Sequence, residues 1–130
     1  MNYLGIDWGS KRVGLAMGNS EAKLARPLPG LANNNEFVTQ LADICTQESV
    51  DRLVVGLPRN LSGEETQASR QIRQFGQKLE SELKLPVDFQ DETLSTKEVA
   101  EHTPARKLKQ IDIDSQAAGL ILQDYLDKLA

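Results

Sequence analysis

The stretch Tyr3-Leu4-Gly5-Ile6-Asp7-Trp8-Gly9-Ser10-Lys11-Arg12-Val13-Gly14-Leu15-Ala16-Met17-Gly18 sets a carboxylate inside an apolar, glycine-punctuated strand and hairpin. An ionised Asp7 among Leu4, Ile6, Trp8 and Val13 loses solvation at a cost of several kcal/mol or more unless a cation or hydrogen-bond donors compensate it. A bound metal is one compensation. A structural alternative is that Asp7 ends its strand at an exposed tip and caps the Gly9-Ser10 turn, a common use of Asp.

Outward from this window, Val13 to Met17 reads as a second strand and Ala22 to Leu28 as a third, broken by Pro27, Pro29 and Gly30. Phe37, Leu41, Ile44 and Cys45 then fall at helical spacing, with Asn35 as N-cap and an end near Ser49. Leu53-Val54-Val55-Gly56-Leu57, bounded by Asp51 and Pro58, is the continuous apolar run of a strand buried on both faces and parallel to the first. After the loop Arg59 to Gly63, Ala68, Ile72, Phe75, Leu79 and Leu83 form the stripe of a long helix that Pro86 stops. Val87 to Asp91 alternates as a fifth strand, Ser95 and Glu98 suggest a capping box for a short helix, and Ala118 to Leu129 carry a final helix.

These elements predict an α/β fold: one mixed five-stranded sheet, a three-strand antiparallel meander plus two parallel strands, flanked by helices. The 130 residues fit a single domain, 1–130. The first strand is then central, and ligands in such sheets bind beyond strand carboxyl ends where the topology switches. Asp7 stands at that place.

Composition bounds the partners. With 15 Lys and Arg against 19 Asp and Glu the formal charge is -4, and the pI is near 5.0, more acidic than the usual nucleic-acid binder. Two divalent cations would offset that charge. A lone Cys45 reads as a buried helix residue in a reducing compartment, and no secretory leader or bilayer-length apolar run is apparent, so a cytoplasmic protein without membrane attachment is expected.

Asp91-Glu92 follows the last strand and converges on the edge that holds Asp7. Strand alternation groups Asp91 with Val87 and Phe89, and Glu92 with Gln90, without deciding between them at a strand end. The alternative role of this pair is to cap the helix near Ser95. Asp114 lies four, seven, eight and eleven residues before Ala118, Ile121, Leu122 and Tyr125, on the stripe facing the sheet, whereas Asp112 is nearer solvent. Its alternative is an N-cap or first-turn residue favoured by the helix dipole. Three carboxylates so placed suit one or two Mg²⁺ or Mn²⁺ ions and phosphodiester chemistry in which metal-activated water is the nucleophile. Cys45 and the single His102, read as an exposed helix-end residue, supply neither a zinc cluster nor a nucleophile triad. Lys11, Arg12, Arg59 and Asn60 fall in loops at the same edge and read as nucleic-acid contacts or as ordinary solvated groups; Arg106, Lys107 and Lys109 form a second basic cluster. Trp8 reads either as a base contact or as packing over the sheet edge.

Four ordered blocks, Leu4 to Gly14, Val54-Val55-Gly56-Leu57-Pro58, Asp91-Glu92-Thr93-Leu94-Ser95-Thr96 and Asp114-Ser115-Gln116-Ala117-Ala118, resemble the YqgF family, also called RuvX. The resemblance covers essentially the whole chain. It implies a ribonuclease H-like fold and a divalent-metal nuclease that processes the 5′ end of the small-subunit (16S) ribosomal RNA precursor, with an older proposed role as a Holliday junction resolvase on branched DNA. By position it makes Asp7, Glu92 and Asp114 the catalytic and metal-binding acids. Thr93 stands where the family usually has Arg, and the segment from His102 to Ile113 is shorter than in many relatives. The expected partners are structured RNA or branched DNA, with ribosome association, for a monomer or weak homodimer. Two rivals stand beside this reading. Gly5 to Ser10 also resembles the first phosphate loop of actin-like ATPases and sugar kinases, but the chain is too short for their two lobes. A non-catalytic RNA-binding module for ribosome assembly would need none of the three acids.

Overall fold

Alternation in the first strand sorts its side chains into two sets, Leu4 and Ile6 against Tyr3, Gly5 and Asp7, and the fold gives each set a different cover. A computed structural model of the chain describes residues 1–58, 66–92 and 113–129, with positions 92, 113 and 114 placed as backbone. The elements are β1 (Asn2–Asp7), β2 (Arg12–Asn19), β3 (Arg26–Ala32), α1 (Phe37–Gln47), β4 (Arg52–Pro58), α2 (Gln67–Leu83), β5 (Val87–Glu92) and α3 (Ile113–Asp127). The strands form one five-stranded sheet in the order β3-β2-β1-β4-β5, with β1 central as expected. β1 pairs antiparallel with β2, Asp7 opposite Gly14, and parallel with β4, Ile6 opposite Val55. β5 extends the parallel half, with Pro58 opposite Glu92.

One face of the sheet meets α1 and α2. Leu4, Ile6, Val13, Leu15, Leu53, Val55 and Leu57 pack there against Phe37, Leu41, Cys45, Ile72 and Leu79. The other face meets α3, where Tyr3, Ala16 and Val54 pack on Ala118, Ile121, Leu122 and Leu126. A side chain at position 5 would put its Cβ 2.8 Å from Leu122 Cβ and 3.1 Å from the Ala118 carbonyl oxygen, so Gly5 allows α3 to lie directly on β1.

Three expectations are corrected. The third strand is not Ala22 to Leu28 but Arg26–Ala32, and it runs through Pro27, Pro29 and Gly30. It is an edge strand, where missing amide donors are tolerated, and its register with β2 shifts between Val13 and Leu15. Asn35 is not the N-cap of α1. Glu36 holds that place, and the Asn34 side chain accepts from the Glu36 amide at 2.9 Å in an Asx turn. On α2 the buried first-turn residue is Ser69 rather than Ala68, because Ser69 forms a reciprocal capping box with Thr66. The short helix expected after Ser95 lies outside the described residues.

Candidate active site

Asp7 ends the central strand where the pairing changes from antiparallel on one side to parallel on the other, and it is half-buried. The turn that follows is tied down by a residue to which sequence reasoning gave no role. Asn33, just past β3, donates its side-chain amide to the Gly9 carbonyl at 2.7 Å and its backbone N–H to the Lys11 carbonyl at 2.8 Å. Gly9 is required in this turn: a Cβ there would sit 2.5 Å from the Arg12 carbonyl oxygen, a backbone atom that cannot swing aside. The only sequence signal for Asn33 is its place in a run of three asparagines, a turn composition that does not reveal a contact reaching back to residues 9 and 11.

Lys11 and Arg12 are exposed beside this turn. Trp8 packs over the sheet edge. It belongs to the alternation set of Leu4 and Ile6, is half-buried against the α1 and α2 core, and lies 5.6 Å from the Phe75 ring centroid. Arg59, Asn60, Thr93, His102, Arg106, Lys107, Lys109 and Asp112 lie outside the described residues.

The other two acids are placed by backbone. Position 92 is the last residue of β5, beside Pro58 at the end of β4, and shares the alternation set of Asp88 and Gln90. Asp88 meets Tyr125 of α3, so this set belongs to the face that α3 covers; exposed Asp91 belongs to the set of Phe89, which packs with the α1 and α2 core. Asp7 shares its set with Tyr3 and Gly5, again the α3 face. Position 114 is in the first turn of α3. The helix runs antiparallel to β1: Ser115 meets Leu15, Ala118 and Leu122 meet Gly5, and Tyr125 meets Tyr3. Its start therefore lies toward the edge at which β1, β4 and β5 end. Positions 7, 92 and 114 thus share one face and one edge of the sheet.

Ser115 is fully buried, and its Oγ accepts from the Leu15 amide at 3.2 Å. At the opposite edge a polar cluster joins Arg52, Asp88 and Tyr125. Arg52 donates to Asp88 at 3.0 Å, and burial together with the hydrogen bond to Asp88 pushes the Tyr125 phenol up to about 12. On the α1 side, burial pushes the Cys45 thiol up to about 11, which keeps it protonated at neutral pH. Among the described residues, no three His, Cys, Asp or Glu side chains gather into a metal-binding group; that set does not include the side chains of Glu92 and Asp114. None of the described helices is long and apolar enough to cross a membrane.

Comparison with known proteins matches residues 1–128 to the family model RuvX, described as Holliday junction resolvase. A protein of Anaeromyxobacter sp. (strain K), named provisionally as a pre-16S rRNA nuclease, is 35% identical over 136 residues, covering 100% of this chain and 99% of that protein. A relative from Maridesulfovibrio salexigens with the same name is 36% identical over 132 residues, covering 97% and 98%. Among solved structures, T. thermophilus RuvC in complex with a Holliday junction substrate superposes with a TM-score of 0.58 at 14% identity, covering 97% of this chain and 94% of that one. The fowlpox virus Holliday junction resolvase gives 0.57 at 14% identity, covering 99% and 100%. At such identity these two structures establish a shared fold, the ribonuclease H-like sheet expected from the sequence.

Proposed function

The chain belongs to the RuvX family, and on that premise we propose that it is a divalent-metal-dependent nuclease that processes the 5′ end of pre-16S ribosomal RNA in the cytoplasm, with Asp7, Glu92 and Asp114 as its catalytic acids. The observation that carries this reading is the delivery of positions 7, 92 and 114 to one face and one edge of the sheet, at the switch between antiparallel and parallel pairing. The near full-length relatives named for pre-16S rRNA support the choice of RNA.

The donor set fits a hard cation. All three acids offer carboxylate oxygens, whereas Cys45 lies on the opposite face of the sheet. Asp7, Glu92 and Asp114 would hold Mg²⁺ or Mn²⁺, one ion or two, which when bound supplies Lewis acidity and lowers the pKa of a water for in-line displacement at phosphorus. Lys11 and Arg12 hold phosphate oxygens and offset the repulsion between the polyanion and the acids, and Arg59 and Asn60 extend that contact from the loop after β4. Asn33 fixes the turn that carries Lys11. Water adds to phosphorus, the P–O bond to the leaving nucleotide breaks, and the departing oxygen takes up a proton.

A second reading, cleavage of branched DNA, is favoured by the family's own description as a Holliday junction resolvase. One assay separates the two. Labelled ribosomal RNA precursor and a synthetic four-way DNA junction are each incubated with Mg²⁺, Mn²⁺ or EDTA and either wild type or Asp7→Asn. The expected result is metal-dependent cleavage of the RNA, reduced in the variant by more than the roughly 10–100-fold typical of losing an outer-shell partner. Preferential cleavage of the junction would transfer the substrate to DNA. Cleavage in EDTA, or undiminished cleavage by Asp7→Asn, would overturn the mechanism.

A further inference from the structure

We infer that Ser115 is a positioning residue that bolts the Asp114 turn of α3 to the sheet one residue from the register of Asp7, an inference that rests on the reading of Asp7 and Asp114 as metal ligands. Ser115 is fully buried, as few polar side chains among the described residues are. A hydroxyl in such a place costs free energy unless it is hydrogen-bonded. Its Oγ accepts from the Leu15 amide at 3.2 Å, a contact that spans 100 residues of sequence.

The position of that contact gives it a role. Leu15 follows Gly14, the residue paired with Asp7 across β1 and β2. Ser115 follows Asp114. A single hydrogen bond therefore joins the neighbour of Asp7's strand partner to the neighbour of Asp114. It also falls where the β2–β3 register slips, between Val13 and Leu15, a place where the ladder is irregular and an amide from β2 can serve another element.

The apolar contacts of α3 do not supply this precision. Ala118, Ile121, Leu122 and Leu126 hold the helix onto the face, but dispersion and burial are non-directional and tolerate sliding. A buried, directional bond in the first turn fixes how far α3 sits along β2. In metal sites, groups that orient the ligands typically affect metal affinity 10–100-fold when removed.

The test compares Mn²⁺ affinity, read by calorimetry on folded protein, in wild type, Ser115→Ala, Ser115→Cys and Asp114→Asn, with circular dichroism confirming the fold. Ala is a better helix former than Ser and nearly the same size, so Ser115→Ala is expected to stay folded. Ser115→Cys keeps a weaker acceptor of similar shape and serves if Ser115→Ala unfolds. The expected result is a loss of Mn²⁺ affinity of about tenfold in Ser115→Ala and less in Ser115→Cys, with affinity for RNA in EDTA unchanged in these two variants, and a loss larger than either in Asp114→Asn. Wild-type Mn²⁺ affinity in folded Ser115→Ala, with Asp114→Asn impaired, would overturn the inference alone. Wild-type affinity in Asp114→Asn would overturn the ligand reading, and the inference with it.

Discussion

The two faces of the sheet solve different problems with different residues. The face under α1 and α2 is filled by large aliphatic side chains, Leu4, Ile6, Leu15, Leu53 and Leu57, that meet helices carrying Phe37, Leu41, Ile72 and Leu79. The face under α3 has Gly5, Ala16 and Val54 and is met by Ala118, Ile121 and Leu122 at close range. The first arrangement maximises buried apolar area and tolerates exchange of one aliphatic side chain for another of similar volume. The second trades side-chain volume for proximity, bringing the start of a helix toward the edge at which the central strand ends. In the proposed reading, the larger apolar core lies on one side of the sheet and the chemistry on the other.

If that division holds, the largest loss of stability comes from the α1 and α2 face without loss of chemistry. Leu41 is fully buried, and Leu41→Ala is expected to cost about 2–5 kcal/mol in denaturant unfolding, while cleavage per folded molecule stays at the wild-type rate. Comparable loss of both would erase the distinction between the faces. Gly5→Ala sharpens it from the other side. Its Cβ would meet Leu122 Cβ at 2.8 Å, so overpacking of about 1–3 kcal/mol is expected, together with a fall in kcat that Leu41→Ala does not show, because α3 must lift.

A smaller effect is expected at the turn after Asp7. Asn33→Ala removes the donor to the Gly9 carbonyl, which should cost about 0.5–1.5 kcal/mol and raise KM for the nucleic acid more than it lowers kcat, as Lys11 and Arg12 lose their fixed support. An unchanged KM would reduce Asn33 to a structural strap. The smallest concerns the opposite edge of the α3 face. The Tyr125 phenol, ordinarily near 10, is pushed up to about 12 by burial first and by its hydrogen bond to Asp88 second. A pKa raised in the folded state means that the folded protein holds the proton longer. The resulting stabilisation is complete below pH 10 and is lost as pH rises through 12. Thermal melts should show that alkaline decline in wild type and a weaker one in Tyr125→Phe, with nuclease activity at neutral pH unaffected.

Much of this was legible beforehand. The continuous apolar run at β4, the glycine-punctuated apolar run of β1 and the helical stripe of α3 are strong signals, and together they point to a central β1 with Asp7 at its tip. The edge strand was misplaced because Pro and Gly ordinarily end strands, and only tertiary placement at the sheet edge, beside a register shift, makes them acceptable. The acid at the end of β5 illustrates a different limit. Alternation alone could not choose between Asp91 and Glu92, whereas register and the Asp88–Tyr125 contact assign position 92 to the α3 face. Asn33 and Ser115 were illegible because each acts through hydrogen bonds to distant backbone, a relation that leaves no periodicity in the sequence. Arg59 and Asn60 remain sequence-derived candidates for substrate contact.

Whether Asp7, Glu92 and Asp114 hold the catalytic cation is tested by a crystal structure of the protein soaked in Mn²⁺, with ions located by anomalous scattering. Anomalous density is expected within about 2.0–2.3 Å of carboxylate oxygens of Asp7 and at least one of the other two acids, absent in Asp7→Asn crystals. Mn²⁺ bound only elsewhere, in a protein whose cleavage depends on that metal, would contradict it.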